Sequence, residues 1–155
     1  MMHFMRTYLV GAGCIALSGC GDWTVLQTLD SEISPDNEVY SHSLRMGAGG
    51  AAGSTETRIV LTQTKAVQDV LPADAVTVLR TGFGCNEMMW SDTRSLEIRH
   101  CTTRSETNSA ETVNFNGKNI GVAVKYAKNC DPNAFSYPTS NEKLKRICEK
   151  MTYTK

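Results

Sequence analysis

The side chains of this 155-residue chain able to act as nucleophile, base or metal ligand are three histidines, six cysteines and seven methionines, among many serines. A Ser-His-Asp hydrolase needs a serine on a constrained turn beside a histidine that a carboxylate holds. The chain has no Gly-x-Ser-x-Gly, and its serines are too numerous for one to be singled out, so no catalytic residue is assigned. His42 and His100 each fall in a strand-like stretch with apolar neighbours, the setting of a satisfied core or edge histidine. Cys85, in Gly82-Phe83-Gly84-Cys85-Asn86, could be a thiol nucleophile, and Met46, Met88 and Met89 with the two histidines could bind Cu(I), a soft ion that suits thioethers. Without a Met-x-Met repeat, Met88-Met89-Trp90 reads as packing beneath a sheet. Zinc sites use paired ligands; no Cys-x-x-Cys occurs and His100-Cys101 is a lone couple, so neither a metal site nor a cofactor is expected.

One cysteine has a chemistry its neighbours specify. Leu17-Ser18-Gly19-Cys20 closes an apolar segment, Tyr8 to Leu17, that is too short to span a bilayer and follows a weakly basic start from Met1 to Arg6. The pattern leucine, small, small, cysteine resembles the bacterial lipobox, in which the cysteine thiol accepts diacylglycerol and the peptide is cut before it. Residues 1–19 then form a lipoprotein signal peptide. Cys20 becomes an acylated, palmitate-bearing first residue and the chain's link to a membrane. Cys14 fails the same test, because Gly11-Ala12-Gly13 lacks the large aliphatic residue. Each buried methylene contributes roughly 0.8 kcal/mol, so two or more chains give stable attachment. In the sorting rule of lipoproteins as a class, aspartate directly after the cysteine favours the inner membrane. Gly21 stands there, with Asp22 one place later, which points to the outer membrane and a periplasm-facing domain.

Residues 20–155 fit a single domain. Lysine plus arginine equals aspartate plus glutamate at 16 each, with no blocks of one sign, so nothing suits nucleic acid, which would need a basic stripe. Once Cys14 and Cys20 are set aside, Cys85, Cys101, Cys130 and Cys148 remain, an even number in an oxidising compartment. Of the three connectivities, sequence order favours Cys85–Cys101 with Cys130–Cys148, each pair bracketing one local unit.

The elements that would position these residues read mainly as strands. Trp23 to Leu29, Val39 to Arg45, Thr57 to Gln63, Ala75 to Arg80, Ser95 to Cys101, Ala110 to Phe115 and Asn119 to Ala127 are the candidates. Ser34-Pro35-Asp36-Asn37 has proline and Asx residues where a tight turn wants them. In the strand that follows, Tyr40, His42, Leu44 and Met46 share one face, and Ser41, Ser43 and Arg45 the other. The glycine-rich Met46 to Ser54 is followed by the β-branched Thr57-Arg58-Ile59-Val60-Leu61, so it connects strands and does not cradle a dinucleotide. Asn116-Gly117 supplies the two positive-φ positions of a type I′ hairpin; Phe115 then faces Lys118, Val113 faces Ile120, and Val122 and Val124 join them on one side. Thr139 and Glu142 form a capping box, and Leu144, Ile147, Cys148 and Met151 recur at helical spacing. The expected fold is a twisted antiparallel sheet over about 23–127, braced by disulfides to a tail over 128–155 with a short amphipathic helix.

From Trp23 to about Tyr126 the chain resembles a group of small exported bacterial proteins of uncharacterised function. The marks are Leu26 to Leu29 leading into Ser34-Pro35-Asp36, a small-residue loop, Thr57 to Leu61, and Trp90-Ser91-Asp92 before Ser95 to Ile98. The Ser-Pro-Asp and Trp-Ser-Asp elements are similar to those that start β-propeller blades. The resemblance implies a twisted antiparallel sheet and no catalytic residue. The expected function is a membrane-tethered, non-enzymatic module that binds an envelope protein, as an accessory, exclusion or immunity factor would. The alternative is a small periplasmic enzyme or metal-handling protein.

Overall fold

The computed structural model describes residues 22–49, 53–82, 84–102, 108–109, 111–126 and Cys148. The strands are β1 (Trp23–Ile33), β2 (Tyr40–Ala48), β3 (Thr55–Thr62), β4 (Val76–Thr81), β5 (Gly84–Asp92), β6 (Ser95–Thr102), β7 (Asn108–Ser109), β8 (Thr112–Phe115) and β9 (Lys118–Tyr126). They form two sheets, ordered β1-β2-β3-β4-β7 and β5-β6-β9-β8. The first is antiparallel throughout; in the second, β6 and β9 run parallel. The expected single antiparallel sheet is therefore two sheets, one of them mixed. The physical reason lies in β3: Ile59, Val60 and Leu61 are all fully buried, which an alternating strand achieves only when both its faces are covered. The described residues include no helical element. The expected C-terminal helix falls outside them except for Cys148, and it gains no support.

The main core lies between the sheets. Ile59, Leu61 and Leu79 of the first sheet pack with Met88, Leu96, Ile98, Phe115, Ile120 and Val122 of the second. Trp90 Nε1 donates to Ser41 Oγ across the gap at 3.1 Å, so the odd-numbered face of β2 looks inward. The even-numbered face, as the alternation predicts, carries Leu44 and Met46 outward into a second core with Val25, Val60 and Val67. Met88-Met89-Trp90, read from sequence as packing alone, belongs to a strand, with Met88 buried and Met89 exposed.

Two turns meet at one end of the sandwich. Asn116 and Gly117 adopt φ of 50° and 79°, and the hairpin register pairs Phe115 with Lys118 and Val113 with Ile120, as expected. In the Ser34–Asn37 turn, buried Ser34 donates its hydroxyl to Asp36 Oδ1 at 2.6 Å and accepts the Val39 N–H at 3.0 Å. Lys118 Nζ reaches Asp36 Oδ2 at 2.6 Å and also pairs with Glu38, tying the β1–β2 turn of one sheet to the β8–β9 turn of the other. The Lys118 ammonium and the Ser34 hydroxyl hold the Asp36 carboxyl down at about 2, and Asp36 with Glu38 raises Lys118.

The disulfide assignment needs correction. Cys85 stands directly opposite Cys101 in the β5–β6 ladder. Opposed side chains in such a ladder keep their Cβ atoms about 4.5–5.5 Å apart, wider than the roughly 3.8 Å a disulfide favours. Cys85 is bonded instead to Cys148, 63 residues away, with a Cα–Cα distance of 5.4 Å. Cys148 is thus taken, and the expected Cys130–Cys148 pair fails with Cys85–Cys101. Cys101 is itself disulfide-bonded, and Cys130 lies outside the described residues.

Candidate functional site

The outer face of the first sheet carries a serine–histidine pair that the sequence did not single out. β1 slips its register against β2 between Val25 and Gln27 and again between Thr28 and Asp30. Each bulge inserts one residue, so side chains three apart, Val25, Thr28 and Ser31, point to the same side. They stand opposite Met46, Leu44 and His42 in turn. The segment from Gln63 to Asp74 folds over this face. It is closed by the Gln63 N–H on Asp74 Oδ2 at 2.7 Å, and fastened by the Val25 N–H on Asp69 O at 2.8 Å and Thr28 Oγ1 on Val67 O at 3.2 Å.

His42 is fully buried beneath it. Its Nε2 lies 2.9 Å from Thr64 O and 3.2 Å from Thr62 Oγ1, and its Nδ1 lies 2.7 Å from Ser31 Oγ. A carbonyl oxygen can only accept, so Nε2 carries the proton and Nδ1 is the acceptor for the Ser31 hydroxyl. Thr62 Oγ1 donates to the same Thr64 oxygen at 2.9 Å. His42 is therefore the satisfied interior histidine expected, held on both ring nitrogens. The pair is also a hydroxyl on a base whose far side is oriented by a backbone carbonyl, the first two parts of a nucleophile-base relay. Among the described residues no carboxylate bonds His42.

Ser31 is exposed and borders a cleft of ≈ 430 Å³, whose walls include Leu26, Thr28, Lys65, Val67 and Asp69. The Ser34-Pro35-Asp36 turn could have revealed this pair: with Ile33 opposite Tyr40 on either side of it, Ser31 falls opposite His42.

His100 does not fit its expectation. It is fully buried, with Tyr126 at 4.1 Å between ring centroids, but among the described residues neither ring nitrogen has a hydrogen-bond partner, and the same holds for the side-chain amide of Asn86 opposite it. Desolvation pushes its pKa below the usual histidine value, so the ring stands neutral. The methionines are not brought together: Met46 lies in the outer core, Met88 between the sheets and Met89 at the surface. Cys20 lies outside the described residues.

Comparison with family models, curated proteins and solved structures returns no match for this chain.

Proposed function

We propose that the protein is a lipoprotein anchored in the cell envelope through acylated Cys20, facing the periplasm from the outer membrane, and that it works as a non-enzymatic binding module for another envelope protein. The observation that carries the reading is the cleft between β1 and the Lys65–Asp69 segment. Strand β1 is the edge of its sheet, and among the described residues the only backbone hydrogen bond it makes outside the β1–β2 ladder is that of the Val25 N–H with Asp69 O. An edge with a groove beside it suits an extended segment of a partner, whose main chain adds hydrogen bonds while its side chains enter the groove. The tether raises the local concentration of the module near membrane neighbours. Benzoylphenylalanine at Gln68, exposed on the cleft wall, is expected to give one discrete ultraviolet adduct in envelopes, and none from exposed Thr112 on the other sheet. Equal labelling from both positions, or none from Gln68, refutes it.

A second reading, a small periplasmic enzyme, rests on the Ser31–His42 pair. In acyl transfer Ser31 Oγ would attack a carbonyl carbon as His42 Nδ1 takes its proton, and His42 would return that proton to the leaving group. Ser31→Ala separates the two readings. It leaves the Thr62 and Thr64 contacts of His42 in place, and because Ser31 also borders the cleft the phenotype is read together with the Gln68 adduct. Phenotype lost at normal membrane level and stability with the adduct retained favours the enzyme, whereas phenotype kept, or phenotype and adduct lost together, favours the binding module.

A further inference from the structure

The sandwich has two unlike ends. At one end β1 begins at Trp23, opposite Ala48, and the β2–β3 connection is closed by the Ala48 N–H on Ser54 O at 2.9 Å. That connection, Gly49 to Ser54, has no ionisable residue in its sequence. At the other end lie the turns bearing Asp36 and Glu38, Asp92 and Arg94, and Lys118. Trp90 belongs to this second end, through its bond to Ser41. Ser41 and Ala48 are seven steps apart along β2, which at the rise of an antiparallel strand is about 24 Å. The chain's two tryptophans thus mark opposite ends.

Cys20 precedes Trp23 by three residues, and three residues at full extension reach about 10 Å. A diacylglycerol on Cys20 would hold the Trp23 end within that distance of the lipid headgroups, while the Trp90 end lies about 24 Å further along the sheet. The chemistry of the near end agrees with such a neighbour. The Trp23 ring, partly buried, is stacked on the Arg58 guanidinium at 4.6 Å, and Arg58 in turn pairs with Glu56, so the charges beneath the ring are matched. Arg80, exposed one strand over, is available to lipid phosphate. Tryptophan settles at the membrane–water boundary because its ring is apolar and its N–H seeks a polar partner.

We propose that the domain stands on the bilayer by this end, with Trp23 in the headgroup region and the Asp36–Lys118 turns directed away from it. This orientation rests on the acylation of Cys20. The test uses the full lipidated chain in phosphatidylcholine vesicles carrying acyl chains brominated near the headgroup, with Trp90→Phe to report Trp23 and Trp23→Phe to report Trp90. Trp23 emission is expected to fall about twofold or more on bromination and Trp90 emission to stay unchanged, since bromine quenches only at close range and tryptophan at the boundary lies within it. Ser54→Trp in a chain lacking both native tryptophans gives a second reporter, expected to be quenched as Trp23 is. Protein that floats with the vesicles but shows no quenching at Trp23 or Ser54→Trp, or equal quenching at Trp90, overturns the orientation alone. Protein with no acyl mass on Cys20 overturns the anchor and the orientation with it.

Discussion

Removing the Cys85–Cys148 bond is the sharpest perturbation this fold offers, because the cross-link joins positions 63 residues apart and so restricts a large part of the unfolded chain. In the chain-entropy relation a closed loop of that length removes about 14 cal/mol/K from the unfolded state, or about 4 kcal/mol at 25 °C, against about 3 kcal/mol for the shorter loop Cys85 and Cys101 would have closed. Cys85→Ala with Cys148→Ala leaves no odd thiol to reshuffle. The double variant is expected to lose about 4 kcal/mol in urea unfolding followed by circular dichroism, and roughly 12–16 °C in Tm for a domain of this size. Peptide mapping of the alkylated, non-reduced wild type should recover Cys85 with Cys148. A loss below about 1 kcal/mol, or a peptide joining Cys85 to Cys101, would refute the reasoning.

Three further outcomes follow from the same structure. His100 is held neutral by burial, so its share of stability is full above its unfolded pKa near 6.5 and is lost as pH falls toward the lowered folded value; His100→Gln should flatten that acid loss, whose slope for one proton is at most about 1.4 kcal/mol per pH unit, in denaturation midpoints measured from pH 8 to 4. Lys118→Met removes the ammonium that holds Asp36 down, and NMR titration of the Asp36 carboxyl should move from about 2 toward its ordinary value; an unchanged titration would show that the ion pair is not the cause. Gly117→Val forces a β-branched residue into φ of 79° and should cost about 1–2 kcal/mol in urea unfolding, whereas a neutral result would mean the type I′ turn is not the one adopted.

What the sequence determined by itself is local. Asn116-Gly117 specified a turn whose geometry only glycine and asparagine accept readily, and that turn fixed the β8–β9 register down to Val113 opposite Ile120. The alternation in Tyr40 to Met46 placed Leu44 and Met46 on one face and Ser41 and Ser43 on the other, because a strand has period two whatever it packs against. The tertiary structure decided whatever depends on residues distant in the chain. Alternation could not show that both faces of β3 are covered, that β6 and β9 lie side by side in parallel, or that two bulges turn the period of β1 from two to three and bring Ser31 onto His42. The cysteine pairing failed for the same reason. Neighbours in sequence order became neighbours across a ladder, a spacing at Cβ typically wider than a disulfide favours, and Cys85 found its partner 63 residues away.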